Sequence, residues 1–186
     1  MFSTFILYPA SLRSLQNPVG SLVRHQILKL LVFSSLLYCL SSCNTSNRKP
    51  MDTVKAYAFR LKPGQDLKTE IQKFVNEKQI KAGWINTCVG SLTNYQIRFA
   101  NQPGGSSDSG HFEIVSLTGT VSINGSHLHI SISDSTGKTI GGHLMDGCKI
   151  YTTAEIVILT SNAFIFKREK DGSTPWEELK VEEVKK

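Results

Sequence analysis

The chain has 186 residues and a formal net charge of +6, from 21 basic and 15 acidic side chains. This length accommodates one ordinary domain and a leader, because domains commonly contain about 100 to 150 residues. The first 50 residues carry five basic and no acidic side chains, so the remainder, with 16 basic and 15 acidic residues, lacks the concentrated positive charge of proteins that bind nucleic acid through many phosphate contacts.

Residues 1–43 have the pattern of an export signal with a lipid anchor. Arg24 and Lys29 precede an apolar stretch, residues 30–40, that is too short to span a bilayer. The sequence Leu40-Ser41-Ser42-Cys43 resembles the lipobox of bacterial lipoproteins, in which the cysteine is lipidated. We therefore predict a lipid-anchored protein of the bacterial cell envelope, with Cys43 as its anchor.

Residues 44–52 are polar and are predicted to form a flexible tether between this leader and the domain. Two alternatives for the leader remain open. A chain whose translation starts at Met51 would be a cytoplasmic protein. A leader without acidic residues that contains arginine and serine is also typical of an organellar transit peptide.

The domain, predicted over residues 53–168, begins with one strand and one helix. Residues 53–62 alternate between polar and apolar and end at the breaker Pro63-Gly64, which predicts a strand. Residues 66–79 change to a helical period, which predicts a single amphipathic helix. The strand-like segments that follow are residues 84–89, 93–100, 112–123, 128–133, 139–143 and 153–166.

This order of elements predicts an α+β fold, in which a largely antiparallel, curled β-sheet is covered on one side by one amphipathic helix. A single helix shields only part of such a sheet, so curling of the sheet or packing between subunits must cover the rest. We therefore expect self-association. The glycine-containing segment 101–110 is predicted to be a mobile polar loop, because no Gly-Lys-Ser/Thr motif follows it.

Three histidines on two neighbouring predicted strands form a candidate metal site. His127 and His129 project from the same face, because strand side chains alternate. Residues 134–138 fit a three-residue hairpin loop whose last residue, Gly137, takes a positive φ. That loop places His129 opposite His143, where three imidazoles can meet at zinc or another divalent metal.

This metal site depends on the register of the hairpin. A two-residue turn at Thr136-Gly137 would place His143 on the face opposite to His129, and the histidines would then be unrelated polar residues on a solvated strand. Glu113 and His111, from a separate predicted strand, are candidates to complete or orient the site. The spacing of the sequence does not fix their distance from it.

The C-terminal residues 169–186 are predicted to form a tail with a short helix. Thr174, Pro175 and Glu177 occupy the cap, first and third positions of a capping box. The helix is expected to end near Val184.

Several linked motifs between residues 53 and 167 resemble the PPC domain, a plants-and-prokaryotes-conserved module that occurs alone in bacteria and archaea and behind AT-hooks in plants. The motifs are residues 90–92, 112–119, 127–131, 137–144 and 152–155. The resemblance implies an α+β, sandwich-like subunit that forms a homotrimer. It also implies that His127, His129 and His143 match the histidine motif of prokaryotic members, which holds a metal, with zinc the expected ion.

Prokaryotic members of this family are often labelled DNA-binding by analogy with the plant proteins, in which an Arg-Gly-Arg-Pro hook contacts DNA. This sequence contains no such hook. Similarity of fold alone does not transfer function. Charge and motif together therefore argue against nucleic acid as a partner, without excluding a local basic patch.

Three functions remain open. The one we favour is a non-enzymatic homotrimeric PPC module that binds a divalent metal through the three histidines and is anchored to the membrane at Cys43. The second is a cytoplasmic DNA-binding or regulatory module. The third is a metal-dependent hydrolase or lyase, in which the metal acidifies a bound water and Glu113 is preferred over Glu155 and Asp134 as the base.

Overall fold

The computed structural model describes residues 52–185, and the predicted leader with its anchor Cys43 lies outside them. These residues form one helix and eight strands. No helix among them has the length and apolar character needed to cross a bilayer. In chain order the elements are β1 (Val54–Leu61), α1 (Leu67–Glu77), β2 (Gly83–Arg98), β3 (Ser106–Ser122), β4 (Gly125–Ser133), β5 (Thr139–Leu144), β6 (Lys149–Ser161), β7 (Phe164–Glu169) and β8 (Glu178–Glu183).

Helix α1 forms where the change of period predicts it. Asp66 caps its N-terminus, because the carboxylate accepts hydrogen bonds from the backbone N–H of Thr69 at 3.1 Å and of Gly147 at 2.7 Å. The apolar face of the helix is buried against the sheet, which is worth about 1.5–3 kcal/mol for each large aliphatic side chain. The buried residues of the helix are Leu67, Ile71 and Val75.

Six of the described strands form one antiparallel sheet in the order β1-β6-β2-β3-β4-β5. The sheet curls, because β5 at its edge also pairs with the end of β2, where Ile97 lies opposite Leu144 and Arg98 lies opposite His143. Register shifts in β2 and β3 provide the local bends. The predicted α+β fold, a largely antiparallel curled sheet with one covering helix, is confirmed.

Three differences between the observed strands and the prediction matter most. Residues 84–89 and 93–98 belong to one long strand, β2, which ends at Arg98 and whose irregularities interrupt the sequence pattern without ending the pairing. The predicted loop 101–110 is partly strand, since β3 begins at Ser106 and pairs there with β2. Residues 153–166 are divided between β6 and β7 by a bend at residues 162–163.

The predicted C-terminal helix is wrong, because residues 178–183 form strand β8, which pairs with β7 in a two-stranded sheet. The hydroxyl of Thr174 accepts from the N–H of Trp176, as a local turn, but it donates to the carboxylate of Glu178. Pairing with β7 therefore outweighs the local helix signal. Two cross-strand ion pairs accompany it, Lys167 with Glu182 and Lys180 with Glu169.

The C-terminal hairpin, formed by β7 and β8, is held on the main sheet by its first strand. The backbone N–H of Phe166 donates to the carbonyl of Lys81 at 2.9 Å. The carbonyl of Phe166 accepts from Ser122 Oγ at 3.1 Å and from Asn124 Nδ2 at 2.8 Å. Ser122 and Asn124 immediately precede β4, so these bonds hold the hairpin beside the strand that carries two of the histidines.

Candidate metal centre

The register of the β4–β5 hairpin is the one that the metal site requires. Ser133 pairs with Thr139 and His129 pairs with His143. The loop between them closes as a turn in which the N–H of Gly137 donates to the carbonyl of Asp134 at 3.0 Å, and Gly137 has a φ of +84°. Because directly opposite residues of an antiparallel pair project from the same face, His129 and His143 point the same way.

Strand β4 presents its histidines outward because its alternate residues belong to the core. Leu128, Ile130 and Ile132 are buried on the inner face, which leaves His127 and His129 side by side on the outer face. His129 is exposed and His143 is half-buried. Burial of the aliphatic side chains thus fixes the direction of the imidazoles.

The three imidazoles converge to the separation that one metal ion needs. One ligand nitrogen from each ring lies within 4.8 Å of those from the other two, and Nε2 of His127 is 3.2 Å from Nε2 of His129. A tetrahedral zinc site with bonds of about 2.0–2.1 Å has ligand nitrogens about 3.3 Å apart. The pair on β4 already has that spacing.

Nδ1 of His143 is a second sign that the group fits an ion. Among the described residues, it is the one buried side-chain nitrogen or oxygen without a hydrogen-bond partner. A buried polar atom without a partner is costly, commonly about 1–3 kcal/mol. A cation bound among the three rings would give such a nitrogen a partner for its lone pair.

The surroundings keep two of the imidazoles neutral. Burial, followed by His127 and Arg98, lowers the pKa of His143 to about 4. Burial, followed by Arg168 and His129, lowers the pKa of His127 below its ordinary value. A lowered pKa means that the ring is unprotonated at neutral pH, and the unprotonated ring is the form that coordinates a metal.

Two arginines border the histidines on opposite sides. Arg98 pairs with His143 across β2 and β5, so both side chains lie on the same face of the curled sheet. Arg168, on β7, donates from Nη2 to Thr120 Oγ1, and Thr120 pairs with His127 across β3 and β4. The histidine cluster therefore lies between two guanidinium groups.

A cavity of about 480 Å³ opens beside this cluster, between the main sheet and the C-terminal hairpin. His127 and His143 line it, together with both arginines. Trp176 and Glu177, from the segment before β8, and Glu178, the first residue of β8, line its other side, and Met145 contributes a thioether. A cavity of this size is within the range of small-molecule sites.

Comparison with known families decides the identity of the fold. The model of the Plants and Prokaryotes Conserved (PCC) domain, the domain called PPC above, matches residues 48–162. The chain belongs to the PPC family. The predicted family is thereby confirmed.

Relatives of this PPC domain occur both within longer proteins and alone. The bifunctional protein GlmU of two Synechococcus strains is 42% identical over 135 residues, which cover 73% of this chain and 22% and 21% of those proteins. The chain thus spans about a fifth of the length of these curated relatives. A hypothetical protein from Salmonella enterica shares 40% identity at a TM-score of 0.69, over 72% of this chain and 96% of that one.

A solved structure from Archaeoglobus fulgidus is described as a metal-containing protein. It shares 26% identity with this PPC domain at a TM-score of 0.59, and the match covers 68% of this chain and 93% of that one. A structure from Bacteroides thetaiotaomicron, provisionally described as DNA-binding, shares 22% identity at a TM-score of 0.59 over 70% of this chain and 97% of that one. The second likeness shows the fold alone.

The other polar residues singled out in the sequence lie apart from the histidines of the PPC domain. Glu113 pairs with Ser133, four positions along β4 from His129, a distance of about 13 Å along the strand. His111 stacks on Tyr151 with 4.2 Å between ring centroids. The structure does not bring Glu113 and His111 to the three histidines.

The two other candidate carboxylates also occupy different places. Asp134 accepts hydrogen bonds from the backbone of Thr136 and Lys138 and so stabilises its own turn. Glu155 lies on β6 opposite Arg60 of β1. Neither belongs to the group of ligand atoms formed by the three histidines.

Sequence reasoning missed the residues that surround the histidines. Arg98 is brought to His143 by the extra pairing of β5 with β2, and no local pattern signals that contact. Arg168 and Glu178 arrive on the C-terminal hairpin, which was predicted to be partly helical. The alternation of polar and apolar residues after Glu178 was the one available signal for that hairpin.

Proposed function

We propose that this PPC domain is a non-enzymatic module that binds one divalent metal ion through His127, His129 and His143. The observation that carries the proposal is the convergence of three ring nitrogens within 4.8 Å on one face of the sheet. The metal-containing relative from Archaeoglobus fulgidus supports it. Zinc is the favoured ion, because a set of three imidazole ligands suits it.

The fold and the protonation state of the histidines would both contribute to metal binding. The β4–β5 hairpin would hold the three rings in place, and the low pKa values of His127 and His143 would keep their nitrogens available at neutral pH. With three protein ligands, a bound ion would keep one coordination position for a further ligand. When bound, the ion would supply a concentrated positive charge at that position.

The positions of the carboxylates support a binding function over a hydrolytic one. A metal-dependent hydrolase needs a base within hydrogen-bond reach of the reacting water. Glu113 lies far along the strand from the histidines. Glu178 does line the cavity, but its carboxylate is engaged by a hydrogen bond from the hydroxyl of Thr174 at 2.6 Å.

We also infer that the module works as a homotrimer. The support is the set of large apolar side chains that stay exposed on the neighbouring strands β6, β2 and β3, where a partner copy would remove them from water. These side chains are Val89 at 53%, Val115 at 57% and Tyr151 at 41% exposure.

The test is the metal content of the purified full chain. We expect about one zinc ion per chain by plasma mass spectrometry, and a native mass of three chains with three ions. His129→Ala should lose most of its metal, because one of the three ligands is removed. Its affinity for zinc should fall by at least about tenfold. The matched control is His111→Ala, which removes a histidine outside the cluster and should keep its metal.

Metal retained in His129→Ala at the wild-type level would refute the assigned ligands. A wild-type protein that holds no divalent metal after loading with zinc would refute the proposed function itself. A native mass of one chain would refute the homotrimer and leave the metal site in place. Circular dichroism of each variant separates loss of a ligand from loss of the fold.

A further inference from the structure

We propose that the cavity beside the three histidines binds a small organic carboxylate, which Arg98 and Arg168 recognise. The proposal rests on the proposed metal site and names the class of ligand that the site would take. It uses residues outside the metal-ligand set, so it can fail while the metal site stands.

Arg98 is positioned for a ligand in the cavity. Its guanidinium carbon lies 5.1 Å from the centroid of the Trp176 ring, a cation–π contact that holds the planar group and leaves its N–H edge available. Arg98 is half-buried and lies directly across the strand pair from His143. No described carboxylate forms an ion pair with it.

Arg168 faces the same cavity from the C-terminal hairpin. It is half-buried, and its hydrogen bond to Thr120 uses only one of the five N–H donors of a guanidinium. As with Arg98, no carboxylate among residues 52–185 lies within ion-pair distance of it. Two half-buried guanidinium groups without an ion pair therefore flank one cavity.

The charge of the cavity favours an anion once the metal is bound. Arg98 and Arg168 are balanced by Glu177 and Glu178, which also line the wall. A divalent ion on the histidines adds two positive charges and makes the lining net positive. A carboxylate matches the fork of a guanidinium through two oxygens, and it also offers an oxygen to the open position of the ion.

The rest of the cavity sets the size and polarity of the ligand. Its volume of about 480 Å³ suits a small molecule and excludes a folded chain. Trp176, which is 58% exposed, and Met145 supply apolar surface for a short carbon skeleton. The ligand class is therefore a small organic acid with one or two carboxylates.

The experiment is calorimetric titration of the zinc-loaded full chain with malonate, and with malonamide as the uncharged analogue. We expect malonate to bind and malonamide not to bind. The double variant Arg98→Gln/Arg168→Gln should bind malonate at least about tenfold more weakly, because two charge-assisted contacts are removed. The matched control is Arg60→Gln on β1, which removes the same charge outside the cavity and should bind as the wild type does.

Zinc content is measured in every variant, which separates the two proposals. Equal malonate binding by the double variant and the wild type, both with zinc, would overturn the carboxylate site and leave the metal site standing. A zinc-loaded wild type that binds no malonate would do the same. A wild type that holds no zinc after loading would refute the metal site. If that protein still bound malonate through both arginines, the carboxylate site would be supported.

If the double variant fails to fold, Arg98→Gln alone provides the test, since the side chain of Arg98 packs on Trp176 and forms no ion pair within residues 52–185. Arg168→Lys complements it. That change keeps the charge and removes the planar fork, so it should weaken malonate binding and leave the zinc content unchanged. Unchanged malonate affinity in both single variants would overturn the proposal.

Discussion

Gly142 shows how a single residue without a side chain positions two residues of the proposed site. A Cβ atom at this position would lie 2.6 Å from the carbonyl oxygen of Arg98 and 2.9 Å from Cγ2 of Ile97. Real Cβ atoms are not found so close to backbone oxygen, so any other residue would push β5 away from β2. The absence of a Cβ thus allows Arg98 to lie opposite His143.

We predict that Gly142→Ala lowers the free energy of unfolding by about 1–3 kcal/mol, the usual cost of overpacking. Urea denaturation of the purified protein measures it. The control is Gly104→Ala, where a Cβ meets no atom within 4 Å, so its effect should be neutral or slightly stabilising. Equal stability of the two variants would show that the close approach of β5 to β2 does not constrain the fold.

The single elements show which parts of the structure the sequence predicts. Helix α1 and the β4–β5 hairpin follow from local patterns, a change of period in one case and a turn glycine in the other. Both patterns act within about fifteen residues. The histidine cluster could therefore be predicted, because its three members lie on one local hairpin.

Long-range strand pairing determines the parts of the structure that local sequence patterns did not predict. Strand β8 forms in spite of a capping-box sequence, because its alternating residues find a partner in β7. Arg98 reaches His143 through the pairing of β2 with β5, more than forty residues apart in the chain. The cavity and its arginines depend on such contacts, so residues outside the histidine motif escaped prediction.

At the scale of the whole protein, the predicted lipid anchor at Cys43 can be tested. We expect Cys43→Ser to move the full chain from the membrane to the soluble fraction, because a lipid attached to this residue would be lost. Fractionation followed by immunodetection measures it, and Cys39→Ser in the same leader is the control. An unchanged distribution of Cys43→Ser would remove the anchor from the account.

Zinc K-edge X-ray absorption of the zinc-loaded full chain tests the central claim most directly. We predict three imidazole nitrogens at about 2.0–2.1 Å from the zinc, with the multiple-scattering signature of histidine and no sulfur neighbour. A sulfur shell near about 2.3 Å, or fewer than three histidines around the ion, would contradict the metal centre proposed for His127, His129 and His143.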